Sequence, residues 1–118
     1  MFEIYIEDHF DAAHSLREYD GPCKNLHGHT YKISAVFKFQ ELGDTGIAFD
    51  FVKAKKSLKI IVDELDHAHL NDLEAFSKKN PTAENIAYYI YTEIKKDIKE
   101  LYKVSVWETA TSCATYYE

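Results

Sequence analysis

Two cysteines, two prolines and four glycines are few for 118 residues, and each shortage removes a class of protein. Two cysteines allow one bridge, Cys23 to Cys113, so a disulfide-framed scaffold is excluded and free thiols are expected. With so little proline and glycine there are no linkers, repeats or low-complexity tracts. The 14 Lys and Arg are scattered among 20 Asp and Glu, giving a net charge of −6. No basic run exists to grip a phosphate backbone, and nucleic acid is not an expected partner. No stretch approaches the ~20 apolar residues of a membrane span. Met1-Phe-Glu-Ile-Tyr-Ile-Glu-Asp8 lacks the basic-then-apolar order of an export segment, so a cytoplasmic protein without membrane contact is expected. What is present is core material: 46% of the residues are hydrophobic, enough for a single domain over 1–118.

Alternation of apolar and polar residues marks the strands. Phe2, Ile4 and Ile6 alternate with Glu3, Tyr5 and Glu7, predicting a half-buried strand that runs toward His14. Residues 15–26, with Gly21-Pro22, read as a loop that brings the chain back beside it. From His29 the alternation is clean, with His29, Tyr31, Ile33, Ala35, Phe37 and Phe39 on one side. Gln40 to Gly46 is a connection. Asp50 caps a helix with the stripe Phe51, Ala54, Leu58, Ile61, Val62 and Leu65, and Thr82 caps a second with Ile86, Ile90, Ile94 and Ile98. Strands over 102–108 and 111–117 follow. The order β-β-α-α-β-β predicts an α+β domain, an antiparallel four-stranded sheet with both helices on one face. Its other face and its edges would stay open, so a closed homo-oligomer is expected.

The chemistry concentrates in Cys23-Lys-Asn-Leu-His27-Gly-His29. Histidines two apart on a strand point to one side, and His14 can be delivered beside them by the first strand. Three imidazoles with one open position make a zinc site of catalytic type. Cys23 is then a base or nucleophile beside the metal, or a fourth ligand that closes a structural, non-catalytic site. Histidines exposed on a turn are the bland alternative. Asp66 directly before His67 can orient that ring as an acid–base pair, although adjacent residues are often only a polar loop. Glu108 continues the apolar parity of Val104 and Val106, where a carboxylate is either ion-paired or holding a ligand. His9 and His69 have no such company, and Asp11, Asp20 and Asp50 read as turn or cap residues.

Taken together, Phe10-x-Ala-Ala-His14, Cys23 four before His27-Gly-His29, Asp50-Phe51, Leu65-Asp66-His67-x-x-Leu-Asn71, Asn80-Pro-Thr82-x-Glu84-Asn85 and Glu108-Thr109 resemble the 6-pyruvoyltetrahydropterin and 6-carboxytetrahydropterin synthase family. The resemblance runs nearly the whole chain. It implies the tunnelling fold, trimers closing a barrel and stacking as a hexamer. It further implies zinc on His14, His27 and His29, Cys23 as base, proton relay by Asp66 and His67, and a pterin held by Glu108. The implied substrate is 7,8-dihydroneopterin triphosphate, and no redox cofactor is required. Of the two branches, the compact chain and short Cys-x-x-x-His-Gly-His spacing favour the 6-carboxytetrahydropterin synthase, which yields acetaldehyde and triphosphate. The 6-pyruvoyltetrahydropterin synthase is the alternative.

Overall fold

A computed structural model describes all residues, Met1–Glu118. Strand β1 (Phe2–His14) is followed by β2 (His27–Phe39), helix α1 (Phe51–Leu65), helix α2 (Ala83–Lys95), β3 (Leu101–Thr109) and β4 (Ser112–Tyr117). Single 3-10 turns lie at Pro22–Lys24, Leu70–Asp72 and Glu74–Phe76. The strands form one antiparallel sheet in the order β1-β2-β3-β4. This is the α+β arrangement the alternation predicts.

Register follows from the side-chain period of two. Phe2 pairs with Phe39 at one end of the first hairpin and His14 with His27 at the other. Even residues of β1 and odd residues of β2 therefore share a face, which places Ile6 and Phe10 beside Tyr31, Ile33, Ala35 and Phe37. The Phe10 and Tyr31 rings stack with centroids 4.8 Å apart.

Both helices lie on that face, α1 against β1 and α2 against β3 and β4. Asp50 caps α1 by accepting the Val52 N–H, and Thr82 caps α2 by accepting the Asn85 N–H. Ala54, Leu58, Ile61, Val62 and Leu65 of α1 join Ile86, Ile90 and Ile94 of α2 in one continuous core. Each large aliphatic chain buried there contributes about 1.5–3 kcal/mol. Two stripe positions depart from expectation. Phe51, the first residue of α1, is 57% exposed, and Ile98 lies beyond the end of α2, packing only partly on the core.

The opposite face carries charge. Lys32 pairs with Glu7 and Lys38 with Glu3, although Ser34, Val36 and Ser105 are buried between such chains. The molecule is drawn out to 53 × 24 × 22 Å with a radius of gyration of 15.2 Å. A compact domain of this length would have about 13.5 Å. The excess is the long β1–β2 hairpin, and its looped end carries the histidines.

Candidate metal centre

The pairing of His14 with His27 closes the hairpin, and His29 follows on the same face of β2. Their ring centroids are 4.5 Å (His14–His27), 5.1 Å (His14–His29) and 4.8 Å (His27–His29) apart. One ring nitrogen from each lies within 4.8 Å of the others.

Backbone carbonyls fix two of the tautomers. His14 Nδ1 lies 2.7 Å from the Pro81 carbonyl, and His27 Nδ1 lies 2.7 Å from that of Asn25. A carbonyl only accepts, so each Nδ1 carries the proton and donates it. The Nε2 lone pairs are left free, and these two atoms face each other at 3.0 Å. Two lone pairs repel unless a proton or a cation lies between them. Two nitrogens on a tetrahedral zinc stand about 3.3 Å apart, close to this spacing. Nε2 of His29 is buried with no partner. Burial pushes the His29 pKa down, Glu108 opposes this, and His14 and His27 add to the depression. The neutral ring, which is the ligating form, is thus favoured. Three converging imidazoles, two of them with their outer nitrogens held by carbonyls, fit a divalent metal of the zinc type.

The sequence around the hairpin loop explains this precision. Ser15 N–H donates to Asn71 Oδ1 while Asn71 Nδ2 donates to the Ser15 carbonyl, both at 2.9 Å. Arg17 and Asn80 exchange a similar pair at 2.8 and 2.9 Å, and Asn85 Nδ2 donates to the Asn80 carbonyl at 2.8 Å. These amides lash the chain after His14 to the segment that supplies Pro81. They are scaffolding for the histidine cluster.

A second constellation lies at the C-terminus of α1. Asp66 Oδ1 accepts the Asp11 N–H at 3.0 Å, and its Oδ2 lies 2.9 Å from His67 Nδ1. His67 has φ +57°, a left-handed conformation that is unfavourable for a residue with a Cβ. Its N–H donates to the Asp11 carbonyl at 2.6 Å, and Ala13 N–H donates to the Ala68 carbonyl at 3.0 Å, so the edge of β1 holds the strained segment. The Asp11 N–H, then His67, keeps the Asp66 carboxyl below its usual range, while Asp66 raises the pKa of His67.

His29 and His67 line one open cleft of about 520 Å³, floored by Ala13 and Gly28. Glu108, half-buried on β3, acts electrostatically on both His29 and Tyr31. Cys23 lies half-buried in the 3-10 turn before His27, and its sulfur is not among the converging donors. Both cysteines are free thiols. Within one chain, then, the three histidines converge, and one of them, His29, shares a cleft with His67, while His14, His27, Asp66, Cys23 and Glu108 stand outside its lining.

Some residues escaped the sequence reading. Asp11 is neither a turn nor a cap residue: it lies within β1, because the Asp8 to Asp11 polar positions are carried by edge-strand pairing. Tyr31 buries a hydroxyl without a partner beneath the histidines, as its parity with His29 would have indicated. His69 lines the cleft with Nδ1 3.2 Å from Asp72 and Nε2 buried without a partner, and nothing in the sequence signals it.

This ordered geometry is matched among known proteins. The profile of the family described as 6-pyruvoyl tetrahydropterin synthase covers residues 3–118. The chain belongs to the 6-pyruvoyl tetrahydropterin synthase family. A Synechocystis relative named 6-carboxy-5,6,7,8-tetrahydropterin synthase is 36% identical, aligned over 99% of this chain and 94% of its own. A Pyrococcus furiosus relative named dihydroneopterin monophosphate aldolase is 37% identical over 84% of this chain and 82% of its own. The solved structure of Caenorhabditis elegans 6-pyruvoyl tetrahydropterin synthase superposes with a TM-score of 0.90 at 30% identity, covering 99% of this chain and 95% of that one. The fold is that of this synthase family, as the motifs implied.

Proposed function

We propose that this chain is a zinc-dependent 6-carboxy-5,6,7,8-tetrahydropterin synthase of queuosine-type 7-deazapurine biosynthesis. It would convert 7,8-dihydroneopterin triphosphate to 6-carboxytetrahydropterin, acetaldehyde and triphosphate. The observation that carries this reading is the pair of carbonyl-locked imidazoles whose Nε2 atoms meet at 3.0 Å beside the cleft. Relatives that carry the synthase name over nearly the full chain support the choice of branch.

His14, His27 and His29 would hold zinc, which polarises the hydroxyls of the substrate side chain as a Lewis acid. The Cys23 thiolate would act as base on a side-chain proton. His67, oriented by Asp66, would deliver a proton elsewhere on the substrate. Glu108 would accept the amino group and ring N–H of the pterin as two parallel, charge-assisted bonds, fixing its orientation. We infer that the complete site forms between copies in a hexamer of two trimers. The open charged face, the free edge strands β1 and β4 and the elongated shape support that assembly.

The test is anaerobic incubation of the zinc-loaded protein with dihydroneopterin triphosphate, analysing pterin, aldehyde and triphosphate products beside Cys23→Ala. Acetaldehyde with 6-carboxytetrahydropterin is expected from the wild type, and retained zinc without turnover from the variant. Formation of 6-pyruvoyltetrahydropterin alone would move the chain to the sister activity. Loss of zinc in Cys23→Ala would instead favour a closed, non-catalytic metal site. A second reading, cleavage of dihydroneopterin monophosphate, is favoured by the aldolase named among the relatives and would appear as turnover of the monophosphate.

A further inference from the structure

Asp11 stands against the Asp66–His67 pair in a way that main-chain pairing does not require. It lies opposite Thr30 in the β1–β2 register, and its carboxylate accepts the Thr30 hydroxyl. Its N–H donates to Asp66 Oδ1 and its carbonyl accepts the His67 N–H, so position 11 grips both members of the pair. A carboxylate oxygen of Asp11, one of Asp66 and a ring nitrogen of His67 all lie within 4.8 Å of one another. The imidazole thus meets two acids from two separate elements, where one is enough to orient a ring.

We propose that Asp11 is a positioning residue for His67, a second carboxylate, steadied by Thr30, that stands beside the imidazole at the edge of the cleft and favours its protonated form. The reason lies in how Asp66 is spent. One of its oxygens is committed to the Asp11 N–H, leaving only the other for His67. Asp11 supplies a further negative charge without competing for that hydrogen bond. The role rests on His67 acting as the proton donor in the reaction proposed above.

The surroundings favour the same sign. Asp66 at the end of α1 and Asp11 in β1 both raise the His67 pKa, Asp66 more strongly. Asp66 also draws Lys59 of α1 toward its charged form, and His29 and His69 line the same cleft as His67; none of these three brings a negative charge to the ring. The two acids are therefore the groups that favour its charged form. Because Asp11 and His67 are exposed, added salt weakens the effect.

The test is titration of the His67 ring by NMR in the full-length, zinc-loaded protein, comparing wild type with Asp11→Asn and Asp11→Glu. Both variants keep the main-chain hydrogen bonds of position 11, and thermal unfolding checks that each is folded. Asp11→Asn should lower the His67 midpoint, and Asp11→Glu should restore most of the loss. In turnover, the alkaline limb of the kcat profile should move to lower pH in Asp11→Asn while KM stays near the wild-type value. An unmoved midpoint in Asp11→Asn, or equal displacement by both variants, would overturn the proposal. The titration needs no substrate, so an inactive enzyme with the expected midpoints would refute the pterin reading and leave this one standing.

Discussion

The two histidine constellations, one at the hairpin end and one at the C-terminus of α1, meet at a single cleft through His29 and His67, yet the fold treats them in opposite ways. His14 is 1% exposed and, like His27, gives its Nδ1 proton to a carbonyl, while burial favours the neutral form of His29. His67 has an exposed ring and is drawn toward its charged form by Asp66. One side-chain type thus yields lone pairs at one place and a proton at the other. Neighbouring groups whose pKa values are pushed apart are how an active site divides acid from base work. The difference is environmental: carbonyl acceptors and burial on the helix-covered face, a carboxylate and solvent at the strand edge.

Breaking the first constellation should have the largest effect. His27→Ala removes one of the two facing lone pairs, and bound zinc measured by elemental analysis should fall by more than the 10–100-fold typical of losing only an outer-shell partner. Asp66→Asn comes next and should leave zinc content intact. Turnover should drop by about 10²-fold, at the lower end for loss of a positioned proton-transfer group, read as kcat.

The same substitution carries a pH signature. His67 has a raised pKa in the fold, so its contribution to stability is present below the free imidazole value and is lost as pH rises through the folded value. Asp66 is depressed, so its contribution is present above the free carboxyl value and is lost as pH falls through the folded one. The pair is complete only between these limits, so the thermal-unfolding difference between Asp66→Asn and wild type should be largest there, shrink at higher pH to the part owed to the Asp11 N–H, and be lost as pH falls through the folded Asp66 value. The effect should be small, since His67 lies in solvent. Sharpening the contrast further, zinc retention should fall as pH drops below about 6.5, where free imidazoles protonate. The depressed pKa of His29 should delay that loss to lower pH, seen in a zinc-release titration.

Much of this site could be read from one dimension. Strand parity alone placed His27 and His29 with Tyr31 and the core, and the caps Asp50 and Thr82 began their helices where expected. Asn71 and Asn80 were visible as motif residues, but their work as amide clasps around Ser15 and Arg17 was not, because each clasp spans more than fifty residues. Asp11 was misread for a related reason. Its partners Thr30 and Asp66 come from a different strand and a helix end, and a local window contains neither.

By itself, the sequence determined the secondary elements, their order, the face each strand buries and the residue types available for metal and proton chemistry, since these depend on spacings of two to four residues. Only the tertiary structure decided which nitrogen of His14 and of His27 is free, which histidine is drawn toward its neutral form and which toward charge. Those properties depend on carbonyls, carboxylates and burial contributed by segments far away along the chain, and no local pattern encodes them.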